Sequence, residues 1–169
     1  MDRPLTGEPL AVDVMNTVWL QHDGAHDALA TVAGLGEWLI ERGLSRRIPT
    51  ERMRVALVET RAVLRDVVED EPGAEHRLNQ VLARGAISRE LRDGQVRQIV
   101  TVDPAWAVAW EAADDYLRLR ESAADGIRCC EQPACVLYFY DPSGRRRWCS
   151  MAGCGNRAKA QRHYAKQRA

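Results

Sequence analysis

All five cysteines of this 169-residue chain fall between Cys129 and Cys154. Cys130 and Cys135 are separated by four residues, Cys149 and Cys154 again by four, and thirteen residues lie between the pairs. This is the pattern a tetrahedral metal needs, because each pair supplies two thiolates from one turn and a hairpin-length insert brings the turns together. Either Cys129 or Cys130 can open the set, and the matched spacing favours Cys130. Thiolate ligands point to zinc, with an iron–sulfur cluster as the alternative. Four protein ligands close the coordination sphere, so one structural Zn2+ is expected rather than a catalytic one. A tail of about 40 residues has too little core to hold itself, which makes the metal the source of its folding energy.

The elements around the cysteines must bring them together. The insert "VLYFYDPSGRRRW" runs from aromatic residues through a turn composition into a basic segment, and reads as a β-hairpin. After Cys154, "GNRAKAQRHYAKQR" has no proline and many helix formers. Knuckle, hairpin and helix make a treble-clef-like finger, or a ribbon-like one. Residues 127–169 carry nine Lys and Arg against two acids, although the whole chain is balanced at 24 against 24. The tail is therefore basic and the body acidic. Arg145, Arg146 and Arg147 are expected on the return strand, and Lys159, Arg162 and Lys166 on one helix face. Arg157 and Arg168 flank that face, with Trp148 and Tyr164 as planar neighbours. Such a surface can follow phosphates, so DNA is the expected partner. The rival readings are a solubilising tail and a protein-binding module.

The body, residues 1–126, reads as mainly α-helical with one short β-hairpin, so the chain is expected to be mainly α, in the α+β class. Helices are expected from about Asp27 to Arg42, with Ile40 inward, after Thr50 as cap, over "AEHRLNQVLARG", and from the Asp103–Pro104 start, with Leu117 on the buried face. In "SRELRDGQVRQIV" the dipeptide Asp93–Gly94 predicts a tight hairpin turn. Near the start, Asp13, Asn16 and Thr17 interrupt an apolar run at helical spacing. They either line a pocket for a small polar effector or satisfy one another's hydrogen bonds. His22 and His26 are spaced like a metal pair but have no accompanying carboxylate signature. No nucleophile triad or phosphate loop is present, so no enzyme is expected, and a small-molecule enzyme with its site around Asp13 and Asn16 in the body is the least favoured alternative. The first twenty residues lack a signal-peptide pattern and no segment has the length and apolarity of a membrane span, so a cytoplasmic location is expected.

The segment "RRWCSMAGCGNRAKAQRHYAKQR", preceded by "CEQPACVLYFYDPSGR", resembles the CGNR zinc finger, whose signature is here Cys154, Gly155, Asn156 and Arg157. "LAVDVMNTV" and "LGEWLIERGLS" look like the ABATE domain that accompanies it. The resemblance implies a bacterial stress-induced transcription regulator with the finger, residues 127–169, as its DNA-binding part. By position it implies Cys130, Cys135, Cys149 and Cys154 as ligands. Asn156 is expected to cap the last helix, and Arg157 to pair with Asp141 or reach a phosphate. Effector sensing or homodimer formation is then left to the body.

Overall fold

The computed structural model describes residues 3–167, apart from the side chain of Lys166. The chain opens with helix α1 (Leu10–Met15), strands β1 (Val18–Gln21) and β2 (Gly24–Asp27), and helices α2 (Val32–Glu41), α3 (Glu51–Val68) and α4 (Ala74–Leu82). Strands β3 (Gly85–Arg92) and β4 (Gln95–Val102) and helix α5 (Ala107–Ser122) complete the body. Strands β5 (Ile127–Cys129) and β6 (Tyr138–Tyr140), a π-helical turn (Met151–Gly155) and helix α6 (Asn156–Gln167) follow. The strands form three antiparallel pairs, β1–β2, β3–β4 and β5–β6, so the molecule is a mixed α+β structure dominated by helices.

Helix α1 is apolar on every side except at Asp13, and Ala11 to Met15 are all buried. A helix of that kind has to sit inside the structure, and α1 packs between α3 and α5. Helix α3 begins at Thr50, whose hydroxyl accepts a hydrogen bond from the Met53 amide at 3.2 Å. Its buried residues, Met53, Ala56, Leu57, Thr60, Val63 and Leu64, recur at spacings of three and four. Trp38 of α2 is wholly enclosed. The buried cluster runs without a break from the body into Ile127, Tyr138, Phe139 and the cysteines.

Several expected boundaries shift, each for a local reason. Helix α2 starts at Val32 rather than Asp27, because Gly24–Asp27 is already a strand and Thr31 provides the cap, accepting from Gly34 at 3.0 Å. Trp38 takes the inward position and leaves Ile40 68% exposed. Helix α5 starts at Ala107, since Asp103 spends its carboxylate on a turn, accepting from the Ala105 amide at 2.9 Å. Leu117 then lies 38% exposed. Helix α1 stops at Met15, so Asn16 and Thr17 lie beyond it.

The hairpin at Asp93–Gly94 forms as its sequence predicts. Asp93 (φ 52°) and Gly94 (φ 74°) both take the left-handed conformation of a type I′ turn. Eight residue pairs follow, from Arg92 opposite Gln95 to Gly85 opposite Val102. At the root Gly85 lies against the Trp110 indole, where an added Cβ would fall 2.6 Å from the ring nitrogen.

Candidate metal centre

The first thiol pair flanks a knuckle. Strand β5 leads into Cys130, the Cys135 amide closes a turn on the Gln132 carbonyl at 2.8 Å, and β6 leads away, the Leu137 carbonyl just before it accepting from the Cys130 amide at 2.8 Å. The strand facing β6 is thus β5, which precedes the knuckle. The expected return strand is absent, and Arg145–Arg147 run through irregular chain after the Asp141–Gly144 turn. The second pair sits at the start of the last helical segment. Ser150, rather than Asn156, caps that segment by accepting from the Gly153 amide at 3.1 Å, and its first turn is π-helical, with the Gly155 amide bonded to the Ser150 carbonyl at 2.9 Å. Cys149 lies just before the cap and Cys154, five positions on, lies within this wide turn. A second pair placed at the entry to the last helical segment matches the treble-clef alternative.

The four sulfurs of Cys130, Cys135, Cys149 and Cys154 all lie within 4.8 Å of one another. Cys135 and Cys149 are 3.7 Å apart, and Cys149 and Cys154 3.5 Å. Four sulfurs each about 2.3 Å from a central zinc would be separated by about 3.8 Å, so the residues present fit the ion closely. The Cys149 amide also donates to the Cys130 sulfur at 3.3 Å, a bond suited to a thiolate. The thiols are poorly matched to one another without a cation. The hydrogen bond with Cys149 holds the Cys135 thiol below the ordinary thiol range, and that same contact pushes Cys149 above it. Burial raises Cys154 to about 11. A divalent cation at the centre removes that conflict by favouring every thiolate together. Cys129 lies exposed and outside the group.

The basic residues separate into two sets. Arg146 bonds the Trp148 carbonyl at 3.0 Å and the Cys149 carbonyl, pairs with Glu8 at 3.1 Å, and lies over the Phe139 ring at 4.5 Å. Arg147 pairs with Glu131 at 2.7 Å beside the half-buried Trp148. Arg145, Arg157, Lys159 and Arg162 are exposed and have no acidic partner among the described residues. Asp141 pairs with Arg128 at 3.4 Å and accepts from the Arg146 amide, not from Arg157. Lys166 belongs to α6, but its side chain lies outside the described residues, as does all of Arg168.

Asp13, Asn16 and Thr17 are buried, at no more than 1% exposure, and each is turned to protein partners. Asp13 pairs with Arg3 and, at 3.0 Å, with Arg42. The Thr17 hydroxyl donates to the Val14 carbonyl at 2.8 Å and accepts from Arg61 at 2.9 Å. The Asn16 amide donates to the Tyr138 carbonyl and accepts from the Tyr138 amide, both at 2.8 Å. Together with Glu8, which accepts from the Tyr140 amide at 2.9 Å, Asn16 covers the edge of β6 that β5 leaves open. His26 stacks on Trp19 with ring centroids 5.2 Å apart and bonds Asp23. A cavity of about 590 Å³ opens elsewhere, lined by Arg46, Arg47, Ile48, Arg52 and Pro104 among others.

A family model described as "CGNR zinc finger" matches residues 127–167, and the ABATE model, described as "Putative stress-induced transcription regulator", matches residues 8–124. No curated protein matches the chain. The match and the thiol geometry agree on one structural zinc ion held by the four cysteines.

Proposed function

The chain belongs to the ABATE family and carries a CGNR zinc finger behind that region, and on this premise we propose that it regulates transcription by binding DNA through the exposed face of α6. In this reading residues 1–126 form the regulatory body and 127–169 the DNA-contacting finger. The carrying observation is the division among the cations. Arg146 and Arg147 are neutralised by Glu8 and Glu131, whereas Arg157, Lys159 and Arg162 have no acidic partner among the described residues and stand on a helical segment with one metal thiol in its first turn and another just before its cap. Charges on an element anchored in this way keep a fixed spacing, which suits them to successive phosphates. Zinc supplies no chemistry in this role. It holds the thiolates together, and the chain itself presents the surface.

The body's share is effector sensing or pairing with a second copy. Since the polar atoms of Asp13, Asn16 and Thr17 face protein partners, an effector is better sought in the cavity beside Arg46 and Arg52. Transcriptional control also implies a cytoplasmic setting, and among the described residues no helix is long and apolar enough to cross a membrane.

The test compares binding of a labelled DNA duplex by zinc-loaded wild type, by R157A/K159A/R162A and by Arg147→Ala. The reading predicts severe weakening in the triple variant and a much smaller loss for Arg147→Ala. Equal affinity for wild type and triple variant would remove α6 from the interface, and absence of binding by all three would favour a protein-interaction role for the finger.

A further inference from the structure

The β3–β4 hairpin is amphipathic, yet the described chain covers only its root. Alternate residues share a face, and the register sets Ile87 opposite Val100, Arg89 opposite Gln98 and Leu91 opposite Val96 on one side. The other side carries Ser88, Glu90, Arg97, Arg92 and Gln95, with Ile99 as its large apolar member. The first face begins half-buried, at Gly85 against Trp110. It then leaves the body, with Ile87 44%, Val100 45%, Val96 71% and Leu91 75% exposed. A two-stranded hairpin standing alone in water is marginal, and two exposed apolar pairs on either side of a single polar pair mark this face as an interaction surface.

We infer that this face docks on the same face of a second copy of the chain. The pattern apolar–polar–apolar is self-complementary under one particular symmetry. A two-fold axis parallel to the strands sets β3 of one copy on β4 of the other. Ile87 then meets Val100 of the second copy, Leu91 meets Val96, and Arg89 meets the neutral acceptor of Gln98. An axis across the strands would instead stack Arg89 on Arg89, which like-charge repulsion disfavours. The two faces bury on the order of 1,000 Å² together, near the lower bound for a specific interface, so the dimer is concentration-dependent. The parallel axis also places both bodies at the same end of the paired hairpins. The inference stands on the hairpin alone and does not require the finger to bind DNA.

Sedimentation velocity of the full zinc-loaded chain over a concentration series tests it. Wild type should pass from one-chain to two-chain mass as concentration rises. L91E/V96E, whose substitutions lie at the exposed tip, should remain at one-chain mass throughout with an unchanged far-UV circular dichroism spectrum. Ser88→Glu, on the opposite face, should dimerise as wild type does, and so guards against a general effect of added charge. Wild type that stays monomeric at its highest soluble concentration would overturn the proposal. So would a dimer that persists in L91E/V96E, since that would point to strand-edge pairing or to another surface.

Discussion

Cys129 and Cys130 are adjacent in sequence and differ entirely in place. Cys130 is 6% exposed among the other three sulfurs, while Cys129 is exposed and lies outside their group. Cys130→Ser should therefore abolish the one-to-one zinc content, and Cys129→Ser should leave it unchanged, as read by elemental analysis of the purified protein. The reverse result would move the first ligand. The cysteine spacing made this site legible in the sequence, since ligands of one metal cluster in short local motifs. Asn16 was not legible in the same way. Its polarity inside an apolar run was plain, but its partner is the backbone of Tyr138, 122 positions later, and backbone groups leave no trace in residue types. Asn16→Ala orphans two buried backbone groups, at a cost of roughly 3 kcal/mol. In a chain of this size the melting temperature should fall by on the order of 10 °C, and a change of only a degree or two would mean that water replaces the amide.

At the scale of elements, strong local signals survived and weak ones did not. Asp93–Gly94 marks a turn because few residues tolerate two successive left-handed positions, and the hairpin is there. The β1–β2 hairpin gives no such signal. Its second strand, Gly-Ala-His-Asp, is poor in strand formers and is fixed instead by the Trp19–His26 stack and by Arg61, which bonds the Asp27 carboxylate at 2.6 and 2.9 Å. These are tertiary contacts invisible to periodicity. The start of the last helix shows the same limit: Asn156 was the natural cap by type, but the π-helical turn advances the helical segment to Met151 and makes Ser150 the cap. Ser150→Ala should destabilise that end by about 1 kcal/mol and lower the midpoint concentration of a zinc chelator. Asn156→Ala should do so less. A larger effect at Asn156 would show that the signature asparagine acts through something other than capping.

For the whole molecule, the finger and the body share one core and a capped strand edge. Phe139 and Tyr138 are buried with the body, Glu8 and Asn16 satisfy β6, and Arg146 spans both. Zinc removal should therefore lower the stability of the entire chain in one cooperative transition, seen by calorimetry with and without chelator. A body transition unmoved by chelator would show that the junction contributes little. The same coupling holds the finger to the body, which the proposed regulatory role requires if the body is to influence DNA contact. The most direct test of that account is the salt dependence of DNA affinity for zinc-loaded wild type and for R157A/K159A/R162A. Each phosphate contact steepens the log–log slope by about 0.9, so affinity should fall steeply with salt and the slope should be shallower by roughly 2 to 3 in the triple variant. Identical slopes for the two proteins would contradict it, because the unpaired cations of α6 would then meet no phosphate.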